Sequence, residues 1–453
     1  MPRKKISPQS SDDAAPKQVP EGQVPGFVLG TTVAELVISK EGIRTFIMNR
    51  KGAISHTSKH RAPHFYHVPP DDTLAGSVVH FARDASLRYC QPHDLLQQIK
   101  DFIHCYLQLP PSYEAISALY VLLSWVYEFA HSLPYLRVIG DWGTGKTRFL
   151  QVVGSICFRP IFASGAATPA PIFRILDQYR GTLILDEADF KESSAWIDMV
   201  KILNNGYRPG FPVLRADKVN GRWRPRGYQV FGPKLIATRF RFEDEALESH
   251  CLTTEMPVLT RSDIPRMFPV SFNDEIYNLR SKLLTFRLHN LCKLKGSNFS
   301  NDMLEPGLQP RLQEILLPLR VLALRDQRLS ATLSSFIQRQ QESLISRRRE
   351  SPEGRVLQAI IQLHDEGIVS TGSELSQRVN ELDDDAEMTS IKAGLIAKRL
   401  GFTKRRLPGI GRHVVDWNEE LALRLASQYG LPLHNSLSLD NSSQPSHLSQ
   451  SAS

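Results

Sequence analysis

The stretch Leu136-Arg137-Val138-Ile139-Gly140-Asp141-Trp142-Gly143-Thr144-Gly145-Lys146-Thr147-Arg148 decides how this chain is read. Leu136–Ile139 is a short apolar run suited to a strand, and Arg148–Cys157 continues as a helical run. Between them stands G-x-x-x-x-G-K-T, in the strand–loop–helix setting that gives this spacing its meaning. The glycines let the backbone curl until successive N–H groups point at phosphate oxygens. A helix starting at the end of the loop adds the positive end of its dipole. Lys146 is then placed for the outer phosphates of a nucleotide, and the Thr147 hydroxyl for a magnesium ion. Residues Gly140 to Thr147, namely Gly140, Asp141, Trp142, Gly143, Thr144, Gly145, Lys146 and Thr147, are therefore the expected ATP cradle.

Two further strand ends complete this expectation. Thr182-Leu183-Ile184-Leu185 runs into Asp186-Glu187. Asp186 suits a metal-bound water on the magnesium side, with Thr147, and Glu187 suits polarisation of an attacking water. Asp186-Glu187-Ala188-Asp189 happens to spell a known helicase string, but no second helicase-like half follows it. A third strand, Lys234–Ala237, ends at the polar residue Thr238.

Outward from this core, the bulk properties set limits. The chain has 453 residues, too long for one core, so two or three domains are expected. The formal charge of +8 favours a polyanionic partner without naming it. Its five cysteines form no C-x-x-C pair, which argues against a disulfide framework or zinc knuckle and for small buried apolar roles. No stretch is long and apolar enough to span a bilayer, and MPRKK is followed by no apolar signal region. The expectation is a cytoplasmic protein with no membrane partner.

Composition divides the chain further. Residues 1–25 read as a disordered arm and 26–90 as a small β-rich region, with strands at Thr31–Ile38 and Thr45–Met48. Residues 91–326 alternate helices and strands as an α/β core with a helical lid. Within it, Asp94–Leu107 and Tyr113–Phe129 read as helices, the first amphipathic through Leu95, Ile99, Phe102, Ile103 and Tyr106. Residues 327–352 read as a helix running into a linker, 353–420 as a separate small unit, and 421–453 as a helix end and a Ser-rich tail.

The ordered set of phosphate loop, Asp-Glu strand end, polar strand end and helical lid resembles the AAA+ branch of P-loop ATPases. More narrowly, it is similar to the ATPases of phages and plasmids related to primase-helicases and superfamily 3 helicases. His93–Arg325, about half the chain, carries this likeness. The resemblance implies a three-layer α/β core, ATP and Mg2+ as ligands, DNA as partner, and assembly as a homo-oligomer or with a replication protein. It also implies that Thr238 senses the γ-phosphate and that Arg311, opening the lid helix Pro310-Arg311-Leu312, reaches the nucleotide. One departure stands at Ala246–His250, where such ATPases carry an arginine aimed at a neighbouring subunit. Here the place is taken by His250, with Arg239 or Arg241 as substitutes.

Two segments point to nucleic acid. Val213–Phe231 holds Arg215, Lys218, Arg222, Trp223, Arg224 and Arg226 around Asn220-Gly221, a strong hairpin signal. Arg222, Trp223 and Arg224 suit phosphate tracking and base stacking on single-stranded DNA, or else form an ordinary solvated hairpin. In residues 353–420, three helical patterns precede two short strands, an order that resembles a winged helix. Lys398 (with Lys392 and Arg399) falls on its third helix, and Lys404, Arg405, Arg406 and Arg412 on its wing, suiting duplex DNA, or else a protein partner. The leading reading is a DNA-dependent ATPase acting in replication of a mobile element as helicase, initiator or loader. An ATP-switched DNA-binding regulator with little turnover is the alternative.

Overall fold

The computed structural model describes residues 21–62, 65–86, 88–164, 167–186, 194–219, 221–296, 304–305, 307–324, 326–382, 387–406 and 413–432. Glu187, Arg412 and Asn220 lie outside these residues, as do most of the expected arm and the tail. Two compact units divide the chain, Met1–Ile337 and Gln338–Ser453.

Near its start, after a short strand Glu21–Gln23 that pairs in parallel with Tyr66–Val68, the first unit carries an antiparallel sheet in the order β1 (Gly26–Leu29), β2 (Thr32–Ile38), β3 (Arg44–Arg50) and β4 (Ala53–Thr57). Lys51 and Gly52 both have positive φ (54° and 96°), the two-residue turn that matches strand twist. β2 buries Val33, Ala34, Leu36 and Val37, and also Glu35. That acid is paired: Arg159 Nη2 donates to it, and Arg287 Nε lies 2.7 Å away. The β-rich region is thus tied to the α/β core through buried charge.

Next come α1 (Pro92–Tyr106) and α2 (Pro111–Val126). α1 buries Leu95, Ile99, Phe102, Ile103 and Tyr106, the stripe expected from its spacing. α2 is buried from Tyr113 to Val126, all round, as its near-continuous apolar sequence requires. Its hydroxyls reach the core sheet. The Tyr113 hydroxyl lies 2.6 Å from the Arg137 carbonyl oxygen, and that of Tyr120 lies 3.0 Å from that of Lys234.

The core is built from β5 (Tyr135–Ile139), β6 (Pro160–Ser164), β7 (Thr182–Asp186), β10 (Lys234–Thr238) and β11 (Cys251–Glu255), all parallel, in the spatial order β11-β5-β10-β7-β6. α3 (Lys146–Phe149) runs on through a π turn at Leu150–Gly154, and α4 (Pro169–Tyr179) and α5 (Ser194–Asn205) follow in the chain. The strands β8 (Val213–Val219) and β9 (Arg222–Tyr228) form a separate two-stranded ribbon. α6 (Phe272–Lys295), α7 (Pro310–Ala323) and α8 (Gln327–Glu350) close the series, α8 crossing the boundary between the units.

In the second unit, α9 (Pro352–Asp365), α10 (Gly372–Leu382) and α11 (Ser390–Arg399) precede the antiparallel pair β12 (Lys404–Arg406) and β13 (His413–Val415), then α12 (Glu419–Tyr429). Side-chain caps at Ser351, Thr389 and Asn418 open α9, α11 and α12. The core joins Val356, Ile360, Leu375, Ile396 and Phe402 to Leu421 and Leu425. α12 therefore contributes to this unit, beyond the expected end at 420, because its apolar face completes the packing. Of the cysteines, Cys157 and Cys251 are buried, Cys105 is exposed, and all five are free thiols.

Candidate functional site

Parallel strands deliver their carboxyl-terminal ends to one edge of a sheet, and in open α/β sheets ligands bind there. Thr238 ends β10 opposite Ile139 of β5, and Asp186 ends β7 on the other side of β10. The Gly140–Thr147 loop, Thr238 and Asp186 are so brought together, with Asp186 about two strand spacings, roughly 10 Å, from the strand that carries the loop.

Within the loop, Gly143 and Gly145 have φ of 74° and 91°, where a side chain would be strained. Lys146 Nζ donates to the carbonyl oxygens of Gly140 (2.7 Å) and Asp141 (2.8 Å), so its charge sits in the mouth of the loop. Thr144 Oγ1 donates to the Asp141 carbonyl at 2.8 Å, and the Trp142 N–H to Asp141 Oδ1 at 2.8 Å. Thr147 is exposed at the start of α3. Thr238 is buried, and its hydroxyl has no hydrogen-bond partner among the described residues. A buried hydroxyl without a partner costs about 1–3 kcal/mol. The donor set therefore fits a magnesium nucleotide: a lysine in a glycine cradle, a hydroxyl and a carboxylate for the ion, and a buried hydroxyl wanting an acceptor. Among the described residues no group of three or more His, Cys, Asp and Glu is placed to hold a metal by itself.

Three supports of the loop escaped the sequence reading. The Arg239 guanidinium lies 4.4 Å over the ring of Trp142, which is 70% exposed. Met256 N–H donates to the Ile139 carbonyl at 2.7 Å, and its side chain lies beneath Gly145. Arg148 ties α3 to the carbonyls of Tyr106 (2.8 Å) and Arg266 (3.0 Å). Each joins residues far apart in the chain, and no local pattern announces them.

Arg311 is not brought to this edge. Its Nη1 donates to the Tyr207 hydroxyl, and Tyr207 accepts a backbone bond from Leu133, just before β5 begins. Arg311, expected to reach the nucleotide, thus lies at the strand-entry end, opposite the loop, because Ser132 Oγ bonds the Glu314 carbonyl (2.7 Å) and seats α7 there. His250 is there too, buried and stacked 4.0 Å from the Tyr207 ring. Burial, reinforced by the nearby Arg311 charge, pushes its pKa down to about 3. A neutral, buried imidazole cannot offer charge to a neighbouring subunit. Arg241 pairs with Glu248 at 3.0 Å.

The ribbon β8–β9 stands out from this core. Pairing of Val219 with Arg222 leaves a two-residue loop, with Gly221 at φ 78°. Register puts Arg222, Arg224 and Arg226 on one face and Trp223 beside Lys218 on the other. At the base, Tyr228 packs 4.7 Å from Phe173, Arg226 pairs with Asp177 (3.3 Å) and Arg215 with Asp198 (3.3 Å). Lys218, Arg222 and Arg224 make no ion pair among the described residues, and Trp223 is 71% exposed. The base is anchored and the tip is open cation with one aromatic ring.

In the second unit Lys398, Lys404, Arg405 and Arg406 are all exposed. Arg405 Nε lies 2.6 Å from Asp416, which offsets its charge. Lys404 reaches back so that its ammonium covers Gly394 of α11.

No protein-family model and no curated protein matches this chain. Among solved structures it is similar to the A form apo structure of the NrS-1 C-terminal region, with 10% identity over 85% of this chain and 97% of that one, at a TM-score of 0.34. A second structure of that region, residues 305–718, aligns at 10% identity over 85% of this chain and 96% of that one, TM-score 0.33. Drosophila ORC bound to DNA aligns at 13% identity over 76% of this chain and 96% of that one, TM-score 0.16. Scores this low add nothing to the argument from strand order and loop geometry. Among the described residues no helix is long and apolar enough to cross a membrane.

Proposed function

We propose that the chain is a P-loop ATPase that hydrolyses ATP with Mg2+ and couples turnover to DNA. The observation that carries the first half is the shared edge of the sheet. There the Lys146 ammonium sits in its glycine cradle beside a buried Thr238 hydroxyl that has no partner among the described residues. Lys146 would hold the outer phosphates, and Thr238 would donate to the last of them. Thr147 and Asp186 would hold the ion, which supplies charge neutralisation at the transferring phosphoryl group. Glu187 is assigned the attacking water from its place after Asp186 alone.

For the second half, the open cationic tip of the ribbon with Trp223 supports single-strand contact. The three-helix, two-strand order of the second unit supports a winged helix on duplex DNA. Replication of a mobile element is the setting that the sequence resemblance suggests. ATPase rate measured alone, with single-stranded DNA and with duplex DNA tests the proposal, and a DNA-independent rate removes the coupling.

The ATP-switched regulator is favoured by one observation. His250, where an inter-subunit arginine is expected, is buried and neutral. Tight ATP binding with negligible turnover in all three conditions would select it.

A further inference from the structure

α11 presents an apolar ridge framed by cations. Ile391 and Leu395 are 76% and 55% exposed, although the unit buries Ala393, Ile396 and Ala397 of the same helix. At about 100° per residue the two side chains project within about 40° of each other, at the centre of the exposed arc. Lys398 and the Lys404 ammonium over Gly394 flank the ridge on one side, and Arg399 and Lys392 on the other. Arg399 also lies 3.6 Å from Glu353. A ridge for a protein partner has no need of cations along both borders. A helix seated in a major groove does, since two phosphate backbones border it.

We propose that Ile391 and Leu395 read thymine methyl groups in the major groove, giving the second unit a preference for A·T-rich duplex. The inference rests on the reading of this unit as a duplex-binding domain. α11 exposes no Asn, Gln, Asp or Glu between Ser390 and Arg399 with which to bond adenine or cytosine. Its central contacts are apolar, and the thymine C5-methyl is the apolar feature of the groove.

The test uses the full chain and two duplexes at one salt concentration: an A·T-rich duplex, and the same duplex with every thymine replaced by deoxyuridine. This removes the methyl groups and leaves every hydrogen-bonding edge intact. Burying one methyl is worth about a threefold to fourfold change in affinity, so two contacts give roughly tenfold. Wild type should bind the thymine duplex more tightly by that factor. I391A/L395A should bind both duplexes alike, near the deoxyuridine value. Equal wild-type affinity for both duplexes, with duplex binding still weakened by K398A/R406A, overturns the inference and spares the duplex-binding reading. Duplex binding indifferent to K398A/R406A overturns both. A change in self-association or partner capture in I391A/L395A, with equal duplex affinities, makes the ridge a protein contact and also overturns the inference.

Discussion

Glu35→Gln tests whether the β-rich amino-terminal sheet is part of the core or an appendage. The Glu35 carboxylate is buried between two buried guanidinium groups, Arg159 and Arg287. Without the charge, Arg287 keeps Glu128 at 2.6 Å and the Trp125 carbonyl at 2.7 Å. Arg159 keeps the carbonyls of Pro25 (2.7 Å) and Tyr179 (2.6 Å) and has no other carboxylate among the described residues. One buried cation is left without a counter-ion, which costs about 3–5 kcal/mol. The glutamine oxygen can still accept one bond, so the lower figure applies. At about 2 °C per kcal/mol for a large unit, the transition should fall by about 6 °C. Scanning calorimetry of the full chain is the assay, with the second unit's transition as internal reference and Glu41→Gln, an exposed acid, as control. A first-unit transition that moves by no more than the control's would refute the reasoning. So would movement of a small separate transition alone, since the sheet would then unfold by itself.

Lys146→Ala should abolish tight ATP binding in titration calorimetry, since the cation in the phosphate mouth is gone. Glu187→Gln should retain ATP and stop turnover; equal turnover to wild type removes Glu187 from its role. Replacing Arg222, Trp223 and Arg224 by alanine should leave basal hydrolysis unchanged, remove DNA stimulation and weaken single-strand binding. Loss of one base–aromatic stack alone is worth about 1–3 kcal/mol, and Lys4 and Lys5 to alanine is the control. Full stimulation in that variant would make the ribbon a surface feature. His250 titrates at about 3 in the folded chain against an ordinary value of 6.5. As pH falls, the unfolded state takes up the proton first. The stability present above pH 6.5 is therefore lost towards pH 3, at up to about 1.4 kcal/mol per pH unit. His250→Phe, which keeps the stack on Tyr207, should flatten the denaturation midpoint between pH 6.5 and 4. An unchanged acid slope would show that the imidazole is not held neutral.

The sequence by itself placed what depends on neighbours in the chain. The strand, glycine loop and helix from Tyr135 to Phe149 were legible because the loop's glycines act through backbone conformation within a few residues. The ribbon was legible because Asn-Gly between strand-like flanks is a hairpin signal in the sequence, and the observed register assigns Arg222, Trp223 and Arg224 to faces. α1 followed from the spacing of five apolar residues, which the structure buries on one face. Tertiary structure alone decided which strand ends meet. Placing β10 between β5 and β7 sets Thr238 beside the loop, and no periodicity in Lys234–Thr238 encodes that neighbour. It also sent Arg311 to the far end of the sheet, because α7 is seated by Ser132 and Tyr207, more than a hundred residues away in sequence, and it stacked His250, which directly precedes β11, on the Tyr207 ring there. It joined Glu35 to Arg159 and Arg287, so that the amino-terminal strands became part of the core. Local pattern fixes backbone conformation and amphipathic faces. Long-range burial, which must satisfy every charge and hydroxyl it encloses, fixes which of those faces and ends come together.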